Sequence, residues 1–253
     1  MPVHESSKGY ESAAKTYVSG RPGYPPEAIT WLRDVVGVGP DRKVLELGAG
    51  TGKFIPTLRQ CGGTIIAIEP IAAMRKELML GFPDVEVFEG SAEAIPLPDG
   101  SVNAVVCAQA FHWFATSTAV QEIRRVLAPS GALGLIWNGR DESIPWVAAL
   151  AAITDPWEGD TPRYRTGAWR SAFPAPGFEF IDQRHVRNAH VGSPEHVIVE
   201  RTLSVSFIAT LTPEQQAEVA RQARALIART PELAGKSEVA FPYDTSMFAY
   251  RKI

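Results

Sequence analysis

Three glycines and one carboxylate are the residues whose types and spacing point most directly to chemistry. Gly48, Gly50 and Gly52 form a G-x-G-x-G turn directly after the apolar segment KVLEL. Glycine adopts positive φ freely and leaves bare backbone against which a ligand can lie. A helix that begins after the turn adds unpaired amides and the positive end of its dipole. Such a turn can bind a carboxylate, ribose hydroxyls or a phosphate.

The spacing of the glycines helps to separate these ligands. A dinucleotide fingerprint reads G-x-G-x-x-G, and Lys53 stands where its third glycine would be. No G-K-[ST] follows, which excludes a P-loop. The next apolar run, TIIAIE, ends at Glu69. Because a carboxylate at the tip of the second strand can accept hydrogen bonds from both ribose hydroxyls, the pattern favours a ribose-bearing ligand that is not a dinucleotide.

Two further segments extend the same predicted site. In EGSAEAIPLPDGS, Ser91 and Ala92 come just after a third strand, where the edge and face of an adenine need a small, hydrogen-bonding wall. In AVVCAQAFHWF, a buried strand emerges at Gln109 and leads into an aromatic cluster with His112 and Trp113. The sequence therefore predicts one site built from four successive strand ends.

The elements that position these residues alternate between strand and helix patterns. Such alternation predicts βαβ units and a parallel sheet covered on both faces. Right-handed crossovers place the strand ends along one edge, and ligands bind where the strand order reverses. We expect a single α/β domain over residues 1–253, with a Rossmann-like, doubly wound, mostly parallel sheet. Its predicted parts are an N-terminal helical lid (1–38), a cofactor-binding core (39–138), a small substrate cap (139–235) and an antiparallel C-terminal strand (236–253).

Composition limits the partners and the compartment. The net charge of −3 gives no electrostatic footprint for nucleic acid, and no apolar run approaches the length of a membrane span. The two cysteines cannot form a disulfide framework. The polar N-terminus lacks the apolar region of a signal peptide. We therefore expect a cytoplasmic monomer or homodimer with neither a nucleic-acid nor a membrane partner.

Three histidines in the second half raise the question of a metal site. His185, His190 and His196 do not have H-x-x-x-H spacing, and no cysteine or second carboxylate is suitably placed beside them. Scattered solvent-facing histidines are the better interpretation. We predict no metal.

The segments ELGAGTG, AIEP, EGSAEAIPLPDGS and AQAFHWF together resemble the class I S-adenosylmethionine methyltransferases of the methyltransferase type 11 group. YVSGRPGYP is similar to a segment of small-molecule members related to trans-aconitate methyltransferase. The resemblance covers about residues 10–140; it is specific for the cofactor and uninformative for the substrate. It implies S-adenosyl-L-methionine as cofactor, with binding residues Glu46, Gly48, Ala49, Gly50, Gly52, Glu69, Pro70, Met74, Ser91, Ala92 and Gln109.

The resemblance also implies transfer of the methyl group to a small-molecule acceptor, by in-line displacement at oxygen or nitrogen. The predicted substrate pocket comprises Tyr17, Arg21, Tyr24, His112, Trp113, Trp137, Asn138 and Arg140. His112 has three interpretations: a general base, a pocket-lining residue, or part of an aromatic packing corner. Met74 fits the core as well as it fits a cofactor contact.

Two other classes of protein stay open at this stage. One is a non-catalytic S-adenosylmethionine-binding protein, against which the intact set of cofactor motifs argues. The other is a nicotinamide-dependent oxidoreductase, against which the missing third glycine argues.

Overall fold

One sheet organises residues 21–253, the part of the chain that the computed structural model describes. Within these residues its seven strands lie in the order β3–β2–β1–β4–β5–β7–β6. In chain order they are β1 (Lys43–Leu47), β2 (Thr64–Ile68), β3 (Glu86–Phe88), β4 (Val102–Ala108), β5 (Leu127–Arg140), β6 (Phe178–Gly192) and β7 (Val239–Lys252).

The strand order sets the place where a ligand can bind. β1 pairs in parallel with β2 and β4, and the parallel pairing continues to β3 on one side and β5 on the other. β7 lies antiparallel between β5 and β6. The chain therefore runs outward from β1 to β3 and returns to the opposite side of β1 at β4. The predicted Rossmann-like α/β fold is confirmed, and its switch point lies between β1 and β4.

Helices cover both faces of the sheet and connect its strands. They are α1 (Glu27–Trp31), α2 (Ile55–Arg59), α3 (Ala72–Gly81), α4 (Ser117–Val126), α5 (Pro145–Thr154), α6 (Arg201–Leu203), α7 (Ser206–Ala209) and α8 (Pro213–Arg229). π-helical turns extend α1 through Leu32–Val36 and precede α6 at Glu195–Glu200. α8 begins with a capping box in which Thr212 and Gln215 each accept a hydrogen bond from the backbone of the other.

Successive side chains of each strand point to opposite faces of the sheet, and the apolar ones build a core on each face. Leu45, Val105 and Leu133 point to one face, where they pack with Trp137 and Phe248. Their neighbours on the strands point to the other face, where they pack with α1 and α2. Strands buried on both faces read as continuous apolar runs, which is why the sequence reveals β1, β2, β4 and β5.

Of the segment expected as an N-terminal lid (1–38), the described part from residue 21 onward includes a helix that packs into the core. Trp31 and Leu32 have no exposed surface and belong to the core, and the Trp31 indole donates a hydrogen bond to Asp182 at 3.0 Å. Of the described residues before α1, Arg21, Pro22 and Tyr24 line the cavity at the switch point. The helix itself is therefore structural, because its apolar stripe is needed to cover the sheet.

The segment 139–235 also differs from the expected cap. It contains β6, a 15-residue strand that belongs to the sheet, so that two strands rather than one run antiparallel. β6 is rich in polar residues because it is half-exposed, and a polar strand lacks the apolar run that reveals a buried one. Part of the segment forms a separate apolar cluster, in which Val147, Leu150 and Ala223 of α5 and α8 pack against Phe241, whereas Trp169 joins the core on the sheet.

Among residues 21–253 no helix combines the length and the apolar character needed to cross a membrane.

Candidate functional site

A cavity of about 250 Å³ opens at the carboxyl ends of β1, β2 and β4, beside the switch point. Most of the predicted cofactor residues line it. They are Glu46, Gly48, Ala49, Gly50, Glu69, Pro70, Met74, Ser91, Ala92 and Gln109. The parallel strands bring these residues together because their carboxyl ends meet at one edge.

The glycine turn is held tightly against the neighbouring strand. The backbone N–H groups of Gly48 and Ala49 both donate to the carbonyl of Ile68, at 2.9 and 3.1 Å. Gly48 has φ of +73°, and a Cβ there would lie 2.8 Å from the Cβ of Ala110. Only glycine fits this position, since any side chain meets both a strained backbone and a neighbour.

Gly52 has a different role from the one predicted. Its φ is +82°, and a Cβ would lie 2.7 Å from the Phe82 ring. It is absent from the lining of the cavity. The expectation of a cofactor contact at Gly52 is therefore not supported: this glycine shapes the turn and lets Phe82 pack against it.

Glu69 is fixed in place by the turn that it faces. One carboxylate oxygen accepts the N–H of Gly50 at 2.7 Å, and the other accepts the N–H of Ile71 at 2.8 Å. Burial raises the pKa of Glu69, while the two amides and Arg75 oppose that rise. Each carboxylate oxygen has more than one acceptor position. The geometry therefore leaves both oxygens able to accept further hydrogen bonds, as from a pair of ribose hydroxyls.

The carboxylate of Glu46 lines the same cavity, and one of its oxygen atoms lacks a hydrogen-bond partner. It is 2% exposed, and its Oε2 atom is buried with no hydrogen-bond partner. Burial, and then repulsion by Glu69, raises its pKa well above the ordinary range. Buried polar atoms are nearly always paired in proteins. An orphaned carboxylate oxygen in a cavity wall indicates that a donor, best a cation, completes it.

Another part of the cavity wall is formed by Met74, Ser91 and Ala92, which are apolar or small. Met74 is 3% exposed and packs against Ile71, so it contributes both to a local apolar cluster and to the cavity lining. Ser91 and Ala92 follow β3, and the turn there closes through a hydrogen bond from the Ala94 N–H to the Ser91 carbonyl at 3.2 Å. No helix begins at Ser91, so a helix N-cap does not explain its position.

A second cavity, of about 340 Å³, adjoins the first. His112 and Arg140, both predicted for the acceptor side, line it together with Arg163, Tyr164 and Arg165. Residues that line both cavities form a shared wall, which we call the junction: Arg21, Gln109, Trp113, Asn138 and Arg201. Two ligands that occupy the two cavities would meet there.

Gln109 and Asn138 build the rigid part of the junction. Gln109 directly follows β4 with φ of +58°, and its side-chain amide donates to the carbonyl of Asn138 at 3.0 Å. The Asn138 amide donates to the carbonyl of Gly23 at 3.1 Å, and its oxygen accepts the hydroxyl of Thr245 at 2.6 Å. Asn138 thus ties residues before α1 to β5 and β7.

His112 and Trp137 act as a pair, which corrects the prediction for Trp137. Trp137 has no exposed surface, lines neither cavity, and stacks on Tyr164 with ring centres 4.6 Å apart. Its indole N–H donates to Nδ1 of His112 at 3.0 Å. Burial, and then the positive charge of Arg163, lowers the pKa of His112 to about 3. The imidazole is therefore neutral, with its proton on Nε2, and it can donate a hydrogen bond but is poorly suited to act as a base.

The remaining predicted pocket residues divide among three positions. Tyr24 lines the first cavity and packs edge-on against Phe54. Arg140 lines the second cavity and bonds to Thr154 and Glu142, at 3.2 and 3.1 Å. Tyr17 lies outside the described residues.

Of the three histidines considered as metal ligands, two contact other side chains, and the His190 ring packs edge-on against that of His196. His185 contacts Asp244 and Ser246, at 3.1 and 3.0 Å, and His196 contacts Glu200 at 2.8 Å. Over residues 21–253, no group of three or more histidine, cysteine, aspartate or glutamate side chains is arranged to hold a metal ion.

Sequence reasoning missed Arg201 and Tyr243, which line the first cavity from the C-terminal half of the chain. Arg201 is 5% exposed, and its Nε donates to the hydroxyl of Tyr243 at 2.9 Å. The available signal was a lone arginine inside the apolar stretch VIVERTL. Arginine is seldom fully buried unless it is paired, so its place in such a stretch marks it for attention.

The chain is similar to proteins that are named as methyltransferases. A family profile described as a methyltransferase domain matches residues 45–135. A protein of Mycobacterium tuberculosis named as an uncharacterized methyltransferase is 37% identical over 241 residues, which cover 95% of this chain and 94% of that protein. A protein of Schizosaccharomyces pombe named as an uncharacterized methyltransferase-like protein is 34% identical over 248 residues, which cover 97% of this chain and 96% of that protein.

Solved structures share the fold. The YcgJ protein of Bacillus subtilis aligns over 89% of this chain and 98% of its own, with a TM-score of 0.53 and 17% sequence identity. At that identity the likeness concerns the fold alone.

Proposed function

The chain belongs to the class I S-adenosylmethionine-dependent methyltransferases, and from that premise we propose that it methylates an oxygen or nitrogen atom of a small-molecule acceptor. One observation carries the proposal: a cavity with two buried carboxylates adjoins a second cavity lined by aromatic and basic residues, and the two share a wall. The cofactor would occupy the first and the acceptor the second.

The residues of the first cavity fit S-adenosylmethionine. The orphaned Oε2 of Glu46 suits the ammonium group of its amino acid portion, since a buried carboxylate needs a cation. Glu69 suits the ribose, and the wall of Pro70, Met74, Ser91 and Ala92 suits the adenine. The bare backbone of Gly48 and Gly50 suits close approach of the ligand. When bound, S-adenosylmethionine supplies the methyl group on a positively charged sulfur that departs as a neutral thioether.

The residues of the junction would align the two ligands. Gln109 is held by Asn138, and Asn138 by Gly23 and Thr245, so the wall is preorganised. Trp113 and Tyr164 contribute flat apolar surfaces to the acceptor cavity. Alignment of the reacting groups in a site from which water is excluded supplies much of the acceleration of such a displacement. The chain's principal contribution is therefore orientation.

His112 would orient the acceptor rather than remove its proton. Its Nδ1 is occupied by the Trp137 indole, and its pKa of about 3 keeps the ring neutral. We expect the His112 imidazole to show the Nε2–H tautomer by ¹⁵N NMR and not to titrate between pH 5.5 and 8.5. In Trp137→Phe, Nδ1 loses its donor and both tautomers should be populated. Titration of His112 in the wild-type protein within that range would contradict the orienting role and favour the interpretation of His112 as a general base.

The proposed cofactor site has a direct test in adenosylhomocysteine, the demethylated form of the cofactor. A ligand at a hundredfold excess over its Kd stabilises the folded state by about 2.7 kcal/mol. We expect a rise in Tm with adenosylhomocysteine and none with NADH. An unchanged Tm at millimolar adenosylhomocysteine would remove the cofactor assignment. Transfer of label from methyl-labelled S-adenosylmethionine to members of an acceptor panel would then identify the acceptor.

A further inference from the structure

Four hydrogen-bonded side chains of the second cavity lie outside the junction. Tyr164 comes from a 3₁₀ turn after α5, His185 from β6, and Asp244 and Ser246 from β7. All four line the second cavity, and none of them lines the first. His185 and Ser246 are partners in the pairing of β6 with β7, and Asp244 precedes Ser246 by two residues, so these three side chains share one face of the sheet. We call the four residues the distal cluster.

The hydrogen bonds of the distal cluster converge on one oxygen atom. The Gln183 amide donates to Nε2 of His185 at 2.7 Å, so the proton of the ring lies on Nδ1, which donates to Oδ2 of Asp244 at 3.1 Å. The Ser246 hydroxyl donates to the same Oδ2 at 3.3 Å, and Tyr164 is hydrogen-bonded to Ser246. Among residues 21–253 no donor bonds to Oδ1 of Asp244. Because 48% of the Asp244 side chain is exposed, Oδ1 is an open hydrogen-bond acceptor in the cavity.

The arginines around the distal cluster limit the charge of a ligand that this oxygen can bind. Arg187 lies opposite Asp244 in the pairing of β6 with β7. Burial raises the pKa of Tyr164, and the charge of Arg170 lies close enough to oppose that rise. In the described part of the chain neither arginine forms an ion pair with Asp244. Both nevertheless repel a cation, so a neutral hydroxyl group suits Oδ1 better than an ammonium group.

The distal cluster lies at a defined distance from the junction. Gln109 of the junction directly follows β4, whereas Asp244 lies on β7, and the strand order β4–β5–β7 separates the two by two strand spacings. Neighbouring strands lie about 4.8 Å apart, which makes the separation roughly 10 Å. Trp113 and Tyr164 line the same cavity with aromatic rings, which favour a flat ligand.

We propose that Asp244 and Tyr164 bind a hydroxyl group of the methyl acceptor at a point about 10 Å from the methylated atom, and that the acceptor is an elongated, flat molecule with this hydroxyl group at its far end. The inference rests on the proposed function, because the junction locates the methyl transfer. The hydroxyl group donates to Oδ1 of Asp244, and the Tyr164 ring supports the adjacent part of the molecule. The distal cluster thus selects the acceptor by length as well as by chemistry.

The experiment uses the full chain saturated with adenosylhomocysteine and measures the binding of phenols by calorimetry. 4,4′-Biphenol has a hydroxyl group at each end, 4-phenylphenol lacks one of them, and 4-(4-aminomethylphenyl)phenol has an ammonium group in its place. Hydroquinone has two hydroxyl groups that are too close together to span the distance. We expect 4,4′-biphenol to bind roughly tenfold more tightly than 4-phenylphenol, and more tightly than the other two compounds.

Variants of the distal cluster test the contact itself. In Asp244→Ala the advantage of 4,4′-biphenol over 4-phenylphenol should vanish, while the affinity for 4-phenylphenol stays the same. Tyr164→Phe keeps the ring and should reduce the advantage less. Tyr250→Phe is the matched control for the tyrosine, because Tyr250 stacks on Phe173 and lines neither cavity. Asp99→Ala is the control for the aspartate, because 81% of the Asp99 side chain is exposed and it also lines neither cavity.

A purely structural distal cluster gives a different result. If Asp244→Ala weakens 4,4′-biphenol and 4-phenylphenol equally, the cluster only supports the cavity wall and the subsite is wrong. Equal binding of these two phenols by the wild type, or binding of neither, would also overturn it. Tighter binding of the ammonium compound would overturn the hydroxyl group, and tighter binding of hydroquinone would overturn the length. Should Asp244→Ala not fold, the wild type and Tyr164→Phe decide by the same comparison of ligands. Failure of the proposed function itself would appear separately, as absence of adenosylhomocysteine binding in the wild-type protein.

Discussion

Replacement of Glu69 by alanine is expected to weaken adenosylhomocysteine binding roughly ten- to hundredfold. Hydrogen bonds to a charged group are worth about 1.5–3 kcal/mol, and the Glu69 carboxylate is buried and already oriented by Gly50 and Ile71. Isothermal titration calorimetry of the wild type and the variant measures the ratio. Glu89→Ala is the control, because Glu89 follows the adjacent strand and its side chain is 76% exposed.

The two functions of Glu69 can be separated by the choice of ligand. Alanine removes the acceptor for ribose hydroxyls, but it also leaves the N–H groups of Gly50 and Ile71 without their partner and loosens the turn. Adenosine carries both ribose hydroxyls, whereas 2′,3′-dideoxyadenosine carries neither. If Glu69 binds the ribose, Glu69→Ala should weaken adenosine much more than the dideoxy compound. Equal weakening of both would assign Glu69 to the turn alone.

Replacement of Glu46 by glutamine is expected to have opposite effects on stability and on binding. Glutamine removes the cost of keeping this carboxyl buried at neutral pH, whether as a charge or as a retained proton, and should increase the free energy of unfolding of the ligand-free protein. It also removes the charge that we propose for the cofactor's ammonium group, and binding of adenosylhomocysteine should fall by roughly tenfold or more. Glu86→Gln, an exposed carboxyl at the start of β3, serves as the control.

The stability gain should depend on pH in a defined direction. Because the folded-state pKa of Glu46 is raised, the folded state holds this proton at pH values where the unfolded chain has lost it. The wild type therefore loses stability as pH rises above the ordinary range of glutamate, by at most about 1.4 kcal/mol per pH unit. Urea unfolding of ligand-free wild type and Glu46→Gln should agree near pH 4.5 and diverge towards pH 8. If the free energies of unfolding of the wild type and the variant instead changed with pH in parallel, the folded protein would not raise the pKa of Glu46.

The parts of the site that the sequence predicts are those in which chain order and spatial order coincide. Gly48 and Glu69 come at the ends of consecutive strands, and the right-handed crossover brings consecutive parallel strands side by side. Spacing along the chain therefore translates directly into proximity. The same logic recovers β1, β2, β4 and β5, whose continuous apolar runs are buried on both faces of the sheet.

Other residues could not be placed in this way. Trp137 and Gly52 look like cavity residues in the sequence, but whether a side chain faces a cavity or a core depends on packing partners far along the chain. Arg201 reaches the junction from the other half of the chain, beside Tyr243 of β7, through tertiary contacts that no local pattern encodes. The sequence does not place β6 in the sheet, because a half-exposed strand needs few apolar residues.

The polar character of β6 has a consequence for encounters between copies of the chain. In the described part of the protein β6 is the outermost strand on its side of the sheet, and an unpaired strand edge can template the addition of a foreign strand. A register shift between Phe180 and Asp182 interrupts its regular pairing, and charged residues such as Arg184 and Arg187 follow. Irregularity and charge are the means by which sheet edges resist such templating. The polar and charged residues of this strand therefore protect the folded chain against edge-to-edge aggregation.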